Sequence, residues 1–151
     1  MFLIDRVETD IPMQMTSHFV INNSDNGLTA KVKDSVRLVF RRGQGAIKFF
    51  TFSDESMELK HSVHDSPMPD PSGQDRACSV EIFDYVTDFA TSHLIIHPFI
   101  LQETNEIVHW HIKNYEPNVY RILNNGNTHA WILTLHPEEK EWFTLSEEDL
   151  T

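Results

Sequence analysis

Residues 106–136 read EIVHWHIKNYEPNVYRILNNGNTHAWILTLH, and two turn signals cut this stretch into three antiparallel strands. Asn125-Gly126 supplies the two positive φ angles that a type I′ hairpin turn needs. A two-residue loop there predicts Ile122 opposite His129 and Tyr120 opposite Trp131. Asn114 to Pro117 predicts a four-residue turn, because Pro117 has no N–H to give to a ladder. That turn pairs Lys113 with Asn118.

Alternation at period two then sorts the side chains onto two faces. Val108, Trp110, Ile112, Val119, Leu123, Ala130 and Ile132 make the expected core face. His109, His111, Tyr120, Ile122, His129, Trp131 and Leu133 make the other, which is more aromatic than solvated surface and richer in histidine than a plain core.

The same alternation continues outward along the chain. HFVINN (18–23) and LTAKVK (28–33) flank Ser24-Asp25-Asn26-Gly27 and predict a second hairpin. VRLVFRR (36–42) reads as a half-buried strand, and AIKFFTFS (46–53), apolar on both sides, as a central one. HLIIHPFIL (93–101) is interrupted by Pro98, which predicts a sheet edge or a bulge there. EWFTL (141–145) is expected to be the last strand, with the SEEDL that follows a polar turn capped by Ser146. The count is about ten to twelve short strands without an amphipathic helix. The expectation is an all-β fold, an antiparallel β-sandwich or jelly roll, forming a single domain over residues 1–151. Residues 65–77, DSPMPDPSGQDRA, hold three prolines and form the one long loop within it.

Composition bounds the function. With 12 Lys+Arg against 23 Asp+Glu among 151 residues, the formal charge of -11 repels phosphate backbones and argues against a nucleic-acid partner. No apolar run reaches the length of a membrane span. Cys78 is the only cysteine, so no internal disulfide forms, and a cytoplasmic or otherwise reducing compartment is expected.

Two kinds of chemistry fit the suspect face. His109 and His111 point to one side of a strand about 7 Å apart, near enough to close on one metal ion. This His-x-His, with Glu116 after it and His129 following Gly126, resembles the motifs of the cupins, a β-barrel family. The resemblance covers about twenty residues and implies a divalent transition metal held by His109, His111, Glu116 and His129, and with it an enzyme. The aromatic content favours binding instead. Tyr120 and Trp131, with His109, His111 and His129 around them, are expected to form a platform for a carbohydrate ring or a protein surface, including a second copy of the chain in a homo-oligomer.

Overall fold

The computed structural model describes residues 1–34, 36–103, 110–124 and 129–149, with residues 103, 110, 124 and 129 described by backbone alone. They form thirteen strands: β1 (Phe2–Met13), β2 (Thr16–Asn23), β3 (Leu28–Val32), β4 (Arg37–Arg42), β5 (Gly45–Phe50), β6 (Phe52–Ser53), β7 (Met57–Asp65), β8 (Ser79–Thr87), β9 (Ala90–Glu103), β10 (Trp110–Glu116), β11 (Val119–Asn124), β12 (His129–Leu135) and β13 (Phe143–Asp149). The described residues contain no helix, and every strand pair is antiparallel. The fold is all-β and sandwich-like, as the alternation predicts. The chain divides into two compact units, residues 1–104 and 105–151.

The first unit packs two sheets face to face. One has the order β1-β9-β5-β4-β3, with β6 also paired to β9; the other has the order β2-β8-β7. Their inner faces meet through aromatic edges. Phe19 of β2 stands T-shaped to Phe49 at 5.5 Å and to Phe99 at 6.0 Å, and Phe40 of β4 meets Phe83 of β8 at 5.1 Å. Leu38, Phe40, Phe49 and Phe83 are the buried centre of this cluster. Each such side chain contributes about 1.5–3 kcal/mol by leaving water.

Two expectations about this unit need correction. The segments 18–23 and 28–33 are not a hairpin: β2 pairs with β8 and β3 with β4, so the turn between them carries the chain from one sheet to the other. Asn23 makes the crossing, its side chain donating to Leu28 O at 3.1 Å and accepting from Leu28 N at 2.9 Å. That side chain supplies the hydrogen bonds a paired strand would have made. Of the two places expected for Pro98, a sheet edge or a bulge, the edge does not hold. β9 is flanked by β1 on one side and by β5 and β6 on the other, and Pro98 falls between the β6 ladder at Ile95–Ile96 and the β5 ladder that starts at Phe99. Pro98 therefore occupies a break in the ladder, where its missing N–H costs nothing. Facing that break is Thr51, which separates β5 from β6. The 65–77 loop joins β7 to β8 and is tied back by Arg76 Nη2 to Ser24 O at 3.1 Å and Asn26 Nδ2 to Ala77 O at 3.2 Å.

The second unit is one four-stranded sheet of order β10-β11-β12-β13. Its turn between β10 and β11 is shorter than expected. Glu116 pairs with Val119, so Pro117 and Asn118 alone form the loop, with Asn118 at φ 65°. Proline followed by a left-handed asparagine is the type II pattern, and that preference outweighs the four-residue alternative. Tyr115 becomes an unpaired bulge residue between the Asn114–Tyr120 and Glu116–Val119 pairs. Lys113 consequently opposes Arg121, not Asn118. Between β11 and β12 the register differs from the expected one by two residues: Ile122 opposes Trp131, and Tyr120 opposes Leu133. The Asn125-Gly126 turn itself lies outside the described residues. The expected terminal turn is strand instead, since β13 continues through Ser146 to Asp149.

Candidate functional site

A two-residue shift leaves faces unchanged, whereas the bulge at Tyr115 inverts β10 against its neighbours. Both effects decide where the sequence-predicted patch goes. Tyr120 is 6% exposed, and Ile122 and Leu133 are wholly buried, so the face expected to be a contact surface is the buried face of β11 and β12. Tyr120 and Trp131 share it, with Ile122 between them in the ladder. Trp131 is half-buried and donates from Nε1 to Glu147 at 3.2 Å. His111 opposes Leu123, on the other face. The structure thus brings Tyr120 and Trp131 to one side of the sheet and leaves His111 on the reverse. His109 lies outside the described residues, and His129 is described only by its backbone, opposite Asp149.

The cupin-like ligand set is divided by the same geometry. His111 and Glu116 are both in β10, five residues apart along an extended strand, which is about 16 Å. One ion cannot bind both. Among the described residues no three His, Cys, Asp or Glu side chains group closely enough to hold a metal.

The bulge exposes a different set of residues. Tyr115 is 64% exposed. The guanidinium of Arg121 lies over its ring, 4.9 Å from the centroid, within cation–π range. Arg121 in turn pairs through Nη2 with the Glu148 carboxylate of β13. Three strands therefore place an exposed aromatic ring, a planar donor group and a carboxylate side by side. Lys113 stands directly opposite Arg121. Together these groups offer an apolar face bordered by charged donors and an acceptor, the combination that holds a planar or ring-shaped polar ligand. Sequence reading missed them because alternation alone does not announce a bulge. The signal was the Glu116-Pro117-Asn118-Val119 run, which fixes the turn and so leaves Tyr115 unpaired.

Among the described residues the first unit contains two histidine–carboxylate pairs, His18 Nδ1 with Asp84 at 2.5 Å and His61 Nε2 with Glu81 at 3.0 Å. His61 also stacks on Phe83 at 4.3 Å with the rings 7° from parallel. Among the described residues neither histidine has a hydroxyl or thiol on its other nitrogen, the arrangement an activated nucleophile requires. In comparison with known proteins, the chain matches no family model, no curated protein and no solved structure.

Proposed function

We propose that this protein is a non-catalytic binding module whose second unit contacts a carbohydrate through Tyr115, Arg121 and Glu148. The supporting observation is the exposed Tyr115 ring, held from one side by the Arg121 guanidinium. A ring fixed in this way keeps its free face toward solvent and loses little conformational entropy when a sugar stacks on it. The Arg121–Glu148 pair sets charged donors and an acceptor at the ring's border, where sugar hydroxyls require both.

A protein partner is the second reading. It rests on β13, one of the two edge strands of the four-stranded sheet, on which Phe143 and Leu145 are 41% and 40% exposed.

The test is a glycan array on the intact chain, followed by calorimetry on the best ligand with Tyr115→Ala, Arg121→Met and Trp131→Ala. The reading expects Tyr115→Ala to weaken binding at least tenfold and Trp131→Ala to leave it nearly unchanged. No glycan bound, or equal affinity in Tyr115→Ala, would retire it. A shift in oligomeric state on Leu145→Glu would favour the protein reading instead.

A further inference from the structure

Positive charge is unevenly spread along this chain. Residues 31–48 hold six of its 12 Lys+Arg and one of its 23 Asp+Glu, within a molecule of formal charge -11. The register gathers them. Lys31 of β3 and Lys48 of β5 flank Val39 of β4, Arg41 follows two residues along, and cross-strand partners point to one side. Leu38 and Phe40 alternate with these positions and belong to the core, so the cations lie on the outer face of the sheet. Lys33 extends the row past the end of β3, its N–H donating to Arg37 O at 2.8 Å.

The crowding there is uncompensated. Asp34 pairs with Arg37, but among the described residues no carboxylate pairs with Lys31, Lys33 or Arg41. The neighbouring Lys31 ammonium, with Arg41 and Arg37 beyond it, holds Lys33 below the ordinary lysine range. A lysine on an edge strand commonly guards against unwanted pairing, and Lys31 alone would fit that role. Arg41 does not, because β4 is paired on both sides.

The edge beside these cations is open. β3 ends its sheet, and the bond from Lys33 to Arg37 fixes which of its backbone groups face inward. By the antiparallel alternation Thr29 and Lys31 also bond to β4, whereas Leu28, Ala30 and Val32 turn their N–H and C=O outward. The Asn23 side chain takes both groups of Leu28. Those of Ala30 and Val32 have no partner among the described residues.

We propose that an extended acidic segment of a partner protein binds here as an added strand, pairing with the backbone of Ala30 and Val32 and setting its carboxylates against Lys31 and Lys33, with Arg41 behind them. Strand period and charge spacing coincide. Alternate side chains of an extended chain lie about 7 Å apart on one side, the same interval that separates Lys31 from Lys33. The intervening positions meet Val32 on the inner side, 39% exposed, so the segment alternates acidic with apolar residues. The rest of the chain disfavours larger anions. Its net negative charge repels a DNA duplex or an anionic bilayer, whose charge extends beyond the screening length of about 8 Å around the patch. On β3 and β4 no aromatic side chain joins the cations on the outer face, so single-stranded bases find nothing there to stack on.

The experiment is fluorescence polarisation of a labelled synthetic peptide alternating glutamate with valine. It is run on the intact chain, on the double variant Lys31→Glu with Lys33→Glu, and on Val32→Pro, each checked for its fold by circular dichroism. Val32 N–H faces outward, so the proline removes a contact of the added strand and leaves the ladder between β3 and β4 intact. The proposal expects the lysine reversals to weaken binding about tenfold or more, and Val32→Pro to weaken it as well. It also expects the Ala30 and Val32 amides of the parent to gain hydrogen-exchange protection when peptide is added, while Lys31, already bonded to β4, does not. No binding at low salt, unchanged exchange at Ala30 and Val32, or equal affinity in folded Val32→Pro would overturn it. So would tighter binding of heparin fragments or single-stranded DNA than of the peptide, or self-association of the parent that the lysine reversals abolish.

Discussion

Thr51 Oγ1 and His97 Nδ1 lie 2.9 Å apart in the interior of the first unit, at the point where β5 gives way to β6 and Pro98 interrupts the facing ladder. The contact holds a neutral imidazole in a site without a neighbouring carboxylate bonded to it. Its energetic cost is therefore expressed through pH.

His97 is held at about 4 against an ordinary 6.5 by burial. The unfolded chain then binds the proton more readily than the folded one between those values, so this group's contribution is complete above about pH 6.5 and lost as pH falls toward 4. The full change is on the order of 3 kcal/mol. Urea melts at pH 7 and pH 4.5 on the parent and on His97→Gln measure it. The expected result is a smaller loss of stability on acidification in the variant, and equal losses in both would show that His97 carries none of it.

The two tyrosines flanking the Pro117–Asn118 turn have opposite roles. Tyr120→Ala removes a side chain only 6% exposed and is expected to cost about 3–5 kcal/mol, as emptying a large aromatic site does. Tyr115→Ala removes one that is 64% exposed and is expected to stay within about 1 kcal/mol of the parent. Paired chemical melts decide it; the reverse order would return the contact face to Tyr120.

Asn118 has φ 65°, a conformation that asparagine tolerates and β-branched residues do not. Asn118→Val should destabilise by about 1–2 kcal/mol, and Asn118→Gly should be neutral or slightly stabilising. Equal melting of the two variants would place the turn's strain elsewhere.

Phe83 is wholly buried between Phe40 and His61. Phe83→Ala should cost about 3–5 kcal/mol, whereas Phe83→Leu should cost less because most of the volume is kept. A loss below about 1 kcal/mol for Phe83→Ala would mean that the two sheets do not meet at this ring.

The fold class was legible because alternation at period two survives in VRLVFRR and in the strands on either side of Pro117. The sheet partners were less so. Asn23 uses its side chain to replace strand hydrogen bonds, so a turn that reads as a hairpin instead changes sheets. The side-chain directions of β10 differ from the expected ones for one local reason. Asn114 to Pro117 and Glu116 to Val119 overlap as turn signals, and the choice between them inverts one strand. The exposure of Tyr115 beside Arg121, which results from that inversion, is present in the sequence only if the Pro-Asn pair is weighed above the loop length.

The position of β9 also bears on how the chain is made. Phe2 pairs with Pro98, so 95 residues separate the first contact of β1 from its partner. At a synthesis rate of roughly 5–20 residues per second, β1 waits about 5–20 s beside the ribosome with its hydrogen-bonding edge open. Its apolar Phe2, Leu3 and Ile4 are uncovered for that interval, and β5 in turn remains open on one side until residues 99–103 emerge. Nascent chains of this protein are therefore expected to be clients of ribosome-associated chaperones until translation has passed β9, and a strong stop placed before residue 90 should yield aggregates, not a smaller folded domain.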